Sequence, residues 1–251
     1  MSPHRALPST DIVALHGWGL SSRVWLPLAE QLGPRLHALD LPGHGERDLV
    51  HGLDAWVDAI AAEAPDSAVY LGWSLGGLVA WAMAMRYPDR VRGLILTAAT
   101  PRLMHAADWP WGMAETTLHG MRAGLDTNFS TTLHQFIDQQ VRGTPDAASA
   151  AARLKADLGQ RPPDRDGLEA GLDIIAASDL RDALPGIDVP SLLIAGERDR
   201  LAHPRAMQAA AEAMPKAHFV EIERAAHAPF VSHQDEFAAL VTDFIDRIEL
   251  H

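Results

Sequence analysis

Six residues, Gly72-Trp-Ser-Leu-Gly-Gly77, join an apolar, β-favouring run at 68–73 to a helix-favouring run at 75–87 with no loop between them. A serine on so sharp a strand-to-helix turn is forced into a strained backbone conformation, and the residues two before and two after it must be small. Gly72 and Gly76 meet that demand, and Gly77 lets the new helix lie close to the sheet. The junction therefore makes Ser74 a candidate nucleophile and commits the chain to a strand followed at once by a helix.

The same alternation runs along most of the chain. Apolar runs at 11–16, 36–40, 68–73, 91–98, 191–195 and 218–222 read as strands. Helical periodicity is found at 22–33, 54–63, 75–87, 204–213 and 235–248, with Pro204 suited to a first turn and Pro88 to a stop. Strands with little polar alternation, separated by helices, predict an α/β fold whose mainly parallel sheet is covered on both faces. The pattern fails over 100–190. That stretch holds Trp109-Pro-Trp-Gly-Met113, an apolar helical face at Phe129, Leu133, Phe136, Ile137 and Val141, an alanine-rich helix near 146–158 and a polar turn at 160–166. It reads as a helical lid inserted into a single core made of 1–99 and 191–251, because strand-like sequence resumes at Ser191 and both flanks are needed to complete one sheet.

Composition narrows the chemistry. None of the 251 residues is cysteine, which excludes disulfides, thiolate metal ligands and a cysteine nucleophile. A formal charge of -12 argues against nucleic-acid binding, which needs an excess of basic residues to displace phosphate counterions. Thirteen histidines are scattered without metal-ligand spacing, so no metal is expected. The opening residues lack an apolar signal-peptide core, and no run approaches the ~18 apolar residues of a membrane span. The expectation is a cytoplasmic monomer with no cofactor.

A serine hydroxyl needs a base within hydrogen-bond reach, and that base needs an orienting carboxylate. The strand at 191–195 leads into Glu197-Arg-Asp-Arg200, placing Asp199 just past a strand end as the orienting acid. Glu197 is the local competitor, but it sits nearer the strand and would have to turn back. The last strand is followed by Arg224-Ala-Ala-His227, which makes His227 the general base, while His203 and His233 show how readily histidines occur nearby. The chain order Ser74, Asp199, His227 favours this assignment. Two backbone N–H groups would stabilise the oxyanion: that of Leu75, at the positive start of a helix, and that of Trp18 in His16-Gly-Trp-Gly19. The indole of Trp18 would wall the acyl pocket, and Asp40-Leu-Pro-Gly-His-Gly45 reads as an architectural turn.

Together H-G-W-G, D-L-P-G-H-G, G-W-S-L-G-G, G-E-R-D and A-A-H-A-P-F resemble the α/β-hydrolase superfamily in kind and order, over nearly the whole chain. Within it, G-W-S-L-G-G-L-V-A, F-I-D-Q-Q and A-A-H-A-P-F-V-S-H-x-x-E-F are most similar to the pimeloyl-[acyl-carrier protein] methyl ester esterases of biotin synthesis. That resemblance implies a serine carboxylesterase that releases methanol from a pimeloyl methyl ester carried on acyl-carrier protein. It places substrate contacts at Phe136 and Gln140, where a helix packed on the core is the plainer reading. Residues 123–152 contain only Arg142, flanked by Arg122 and Arg153, which is few arginines for docking an acidic carrier protein. A broad short-chain esterase, a lactonase or a hydrolase of carbon-carbon bonds would use the same triad, and a noncatalytic binding protein would keep the fold without it.

Overall fold

A computed structural model describes residues 10–160 and 163–250. The opening residues read above for a signal peptide, and residues 161 and 162 of the expected polar turn, lie outside the described residues. Six strands form one wholly parallel sheet: β1 (Ile12–Leu15), β2 (Leu36–Leu39), β3 (Ala68–Trp73), β4 (Val91–Thr97), β5 (Ser191–Gly196) and β6 (Ala217–Ile222). Their spatial order is β2-β1-β3-β4-β5-β6. The chain goes from β1 outward to β2, then returns past β1 to build β3 onward on the other side. The connections leaving β1 and β3 thus diverge, opening a crevice beyond the carboxyl ends of those two strands, where open α/β sheets bind ligands.

The helices of the core are α1 (Leu26–Leu32), α2 (Leu53–Glu63), α3 (Leu75–Arg86), α8 (Pro204–Ala213), the single turn α9 (Pro229–Ser232) and α10 (Gln234–Glu249). The helix expected over 22–33 is split. A 3₁₀ turn at Ser22–Trp25 precedes α1, because Pro27 in the first turn has no N–H to continue a hydrogen-bond ladder from upstream. α3 is buried around most of its circumference, from Leu75 through Ala84. Such a helix must approach its sheet closely, and the glycines allow it: a Cβ on Gly77 would stand 2.2 Å from Ala99 Cβ.

Four helices lie between β4 and β5: α4 (Glu115–Thr127), α5 (Phe129–Gln140), α6 (Ala147–Gln160) and α7 (Arg165–Ala177). α5 and α6 match the sequence expectation; α4 and α7 were not expected, and α7 takes in Arg165 and Asp166 from the supposed turn. Their apolar residues are spaced by glycines, Gly120 and Gly124 in α4 and Gly167 and Gly171 in α7, which lower the helical signal of a single sequence. In α7 those glycines serve contact: a Cβ on Gly167 would meet Gly43 O at 2.0 Å, and one on Gly171 would meet the Trp18 ring at 2.8 Å. The two ends of this stretch are tied together. Leu180 N–H donates to Pro101 O at 2.9 Å, and Asp179 binds both Arg102 and Arg181, whose guanidinium groups hold its carboxyl well below the usual carboxylate range. The stretch also grips the core from above, where Asp157 of α6 accepts from the backbone N–H and hydroxyl of Ser21.

Candidate active site

The turn between β3 and α3 places Ser74 at φ 54°, ψ -116°, a left-handed conformation that costs a non-glycine residue energy. Its neighbours explain how the strain is held. A Cβ on Gly72 would lie 2.5 Å from Gly76 O, and one on Gly76 would lie 2.5 Å from both Leu15 O and His16 O. A side chain at Gly76 would push the turn off β1, and one at Gly72 would push the strand end off the start of α3. The Ser74 side chain does not cap α3, so its hydroxyl is not spent on the helix it precedes.

Asp199 and His227 are brought together by the loops after β5 and β6, and each is almost completely buried. His227 Nδ1 donates to Asp199 Oδ2 at 2.8 Å. A carboxylate can only accept, so the imidazole proton sits on Nδ1 and leaves Nε2 with a lone pair. The other oxygen, Asp199 Oδ1, accepts from the N–H groups of Leu201 and Ala202 at 2.8 and 2.9 Å, which aims the carboxylate at the histidine. Glu197 is excluded by its own bonds: it is exposed, and its Oε2 accepts from Arg224 N–H at 2.7 Å. His203 caps α8 and His233 bonds Ser232, so neither competes for the role of base.

The backbone of His227 is fixed on both sides. Its N–H donates to Gln140 O at 2.9 Å, and its carbonyl accepts from Trp73 Nε1 at 2.8 Å. Trp73 is the residue immediately before the serine, so one indole couples the turn of Ser74 to the loop of His227. Sequence reasoning passed over it, although a tryptophan at that point of the motif was the available signal. Gly17 makes room for it, since a Cβ there would come within 3.0 Å of the Trp73 ring.

Across the crevice, the loop after β1 carries Trp18. Neither its N–H nor that of Leu75 has a hydrogen-bond partner among the described residues. The indole lines the cavity, but it is also anchored, donating from Nε1 to Leu168 O of α7 at 2.9 Å. Two buried histidines brace this loop against the turn after β2. Leu41 N–H donates to His16 Nε2 at 2.9 Å, so His16 Nδ1 carries the proton and donates to Gly17 O at 2.8 Å. His44 donates from Nδ1 to Pro42 O at 3.1 Å and faces Gly19 N–H with Nε2. Burial lowers the pKa of both, that of His44 to about 3 with His16 nearby as a second cause. These two buried histidines tie the turn at Asp40 to Gly45 to the loop after β1.

Ser74 and His227 open on a cavity of about 460 Å³ whose apolar wall includes Trp18, Met121, Phe136 and Ile175. Phe136 stands edge-on to Trp18, ring centroids 4.9 Å apart. Gln140 does not take the place expected of it. The wall contains Gln139, while Gln140 is turned under the His227 loop with its side chain 1% exposed, because its position on α5 faces the core. A second groove of about 480 Å³ lies at the opposite ends of β5 and β6, but its one serine, Ser191, donates its hydroxyl to Val189 O. Among the described residues no group of three or more His, Asp or Glu could hold a metal ion, and no helix is long and apolar enough to cross a membrane.

Residues 12–240 match the alpha/beta hydrolase family. The chain belongs to that family. Among curated relatives, the hydrolase is 40% identical to the pimeloyl-[acyl-carrier protein] methyl ester esterase of Shewanella woodyi, over 94% of each chain. It is 43% identical to the enzyme of that name from Stenotrophomonas maltophilia, over 94% of this chain and 92% of the relative. Among solved structures, an esterase from Exiguobacterium antarcticum superposes with a TM-score of 0.86 at 18% identity, covering 96% of this chain and 93% of that one, a likeness of fold.

Proposed function

We propose that the hydrolase is a serine carboxylesterase that cleaves the methyl ester of pimeloyl-[acyl-carrier protein], as its relatives' names say of them. The observation that carries the chemistry is that His227, hydrogen-bonded to the buried Asp199, opens with Ser74 on one cavity. His227 Nε2 takes the Ser74 proton as Oγ attacks the ester carbonyl, and the N–H groups of Trp18 and Leu75 receive the developing oxyanion. Collapse breaks the bond to methoxide, which leaves as methanol with the proton from His227. Water then attacks the acyl-serine, giving a proton to His227; the bond to Ser74 Oγ breaks, and the serine regains that proton. Asp199 keeps the histidine in the required tautomer and stabilises it while it is charged.

In this reading residues 100–190 form the lid, with Phe136 and Gln139 against the acyl chain, on a core made of 1–99 and 191–251. The enzyme acts as a cytoplasmic monomer on a small acyl group presented by its carrier. Two measurements test the proposal. An organophosphate should label Ser74 and fail to label Ser74→Ala, and unlabelled folded protein would refute the nucleophile. Turnover of the carrier-bound methyl ester should exceed that of p-nitrophenyl esters and restore growth to a biotin auxotroph lacking the esterase. No preference for the carrier substrate would refute the physiological assignment while leaving ester hydrolysis in place.

A further inference from the structure

The cavity that holds Ser74 has two arginines in its wall, Arg142 and Arg200, and no acidic residue. On a chain of net charge -12 this is an unexpected place for uncompensated positive charge. Neither guanidinium is paired with a carboxylate among the described residues, whereas Arg102, Arg122 and Arg181 all are. The two come from different parts of the chain. Arg142 follows α5 in the helical stretch, and Arg200 follows Asp199 in the loop after β5.

Their backbones are tied to the catalytic loops. Two residues before Arg142, Gln140 O accepts from His227 N–H; one residue after it, Gly143 O accepts from the guanidinium of Arg198. Arg200 adjoins Asp199, whose carboxylate is bonded to the next two N–H groups. The backbones of both arginines are thus held to the loops that carry His227 and Asp199, and both side chains line the cavity on which Ser74 opens.

Resting on the esterase reading, we infer that Arg142 and Arg200 form an anion subsite for the free carboxylate of a dicarboxylic acid half-ester. The hydrolase then has a carrier-independent activity: it converts the half-ester and water into the diacid and one methanol, the far carboxylate held by the arginine pair. A guanidinium suits this role because its planar donors match a carboxylate edge and it stays charged at every working pH. Because both side chains reach solvent, each contact is worth only about threefold to fivefold in rate, and the pair about tenfold.

The test compares kcat/KM for monomethyl pimelate, which carries the carboxylate, with that for dimethyl pimelate, which has the same chain and no charge. The parent enzyme should prefer the half-ester by about tenfold, and the preference should shrink with added salt. The Arg142→Gln, Arg200→Gln double variant should bring the ratio close to one, with the corresponding lysine variant retaining part of it. Hydrolysis of both esters with no preference, or a preference the double variant leaves intact, overturns the subsite and leaves the esterase standing. A loss confined to the carrier-bound ester assigns the arginines to the carrier and overturns it too. Hydrolysis of no ester by folded enzyme overturns the esterase reading and this inference with it.

Discussion

Replacing Asp199 by asparagine should cost the enzyme almost all of its turnover and almost none of its stability. The wild-type carboxylate makes three hydrogen bonds at 3% exposure: Oδ1 accepts from Leu201 and Ala202 N–H, and Oδ2 accepts from His227 Nδ1. Asparagine has one acceptor oxygen and one NH₂ group to put in those places. With the oxygen toward the two amides, both of those bonds survive. The reverse orientation strands the buried Ala202 N–H at about 1–3 kcal/mol and the partly buried Leu201 N–H at somewhat less. The NH₂ must therefore face His227, where it donates to Nδ1 and drives the imidazole proton to Nε2. A protonated Nε2 cannot accept the Ser74 proton, and the expected loss is about 10⁴-fold in kcat, or roughly 5.5 kcal/mol of transition-state stabilisation. The assay is kcat on a neutral methyl ester near neutral pH, beside a thermal melt and the rate of organophosphate labelling at Ser74. Labelling should fall with kcat while Tm stays within a few degrees. A folded Asp199→Asn enzyme within tenfold of the parent would refute the idea that this carboxylate sets the tautomer.

Three further outcomes follow from the same geometry. Trp73→Phe removes the donor to His227 O and leaves a buried carbonyl unpaired, so unfolding should be easier by about 1–3 kcal/mol in denaturant titrations, with kcat reduced more than KM is raised. Gly76→Ala sets a methyl 2.5 Å from Leu15 O and His16 O; because it displaces the turn rather than a flexible side chain, it should destabilise by about 1–3 kcal/mol or more and slow turnover through the Leu75 amide. His16 and His44 are held neutral in the fold with depressed pKa values, so the unfolded chain binds protons that the native one does not. Their contribution is present above the unfolded histidine value of about 6.5 and is lost as pH falls toward the folded value of about 3 for His44. Urea midpoints should therefore drop steadily through that window, and His44→Gln should flatten the drop; an unchanged slope would mean these histidines do not govern it.

The strand-to-helix junction at Ser74, the six strands and the order Ser74, Asp199, His227 were legible in the sequence because each is written in local terms: apolar runs, glycines at fixed offsets, loops after strands. The same locality explains what was missed. α4 and α7 are spaced by glycines that weaken a helical pattern, and in α7 the reason for those glycines is a neighbour distant in the chain, Gly43 against Gly167 and Trp18 against Gly171. Gln139 and Gln140 are adjacent and chemically identical, so only the rotation of α5 on the core decides which one faces the cavity.

By itself, then, the chain's order of residues determined an α/β sheet, a strained serine turn and the loops after strands that carry its candidate acid and base, because backbone sterics and hydrophobic periodicity act over a few residues. Tertiary structure alone decided that Asp199 rather than Glu197 meets His227, that the Trp73 indole joins the serine turn to the histidine loop, and that Arg142 and Arg200 share one cavity. Those relations join residues from separate loops, and only the packing of those loops against one sheet sets the distances between them.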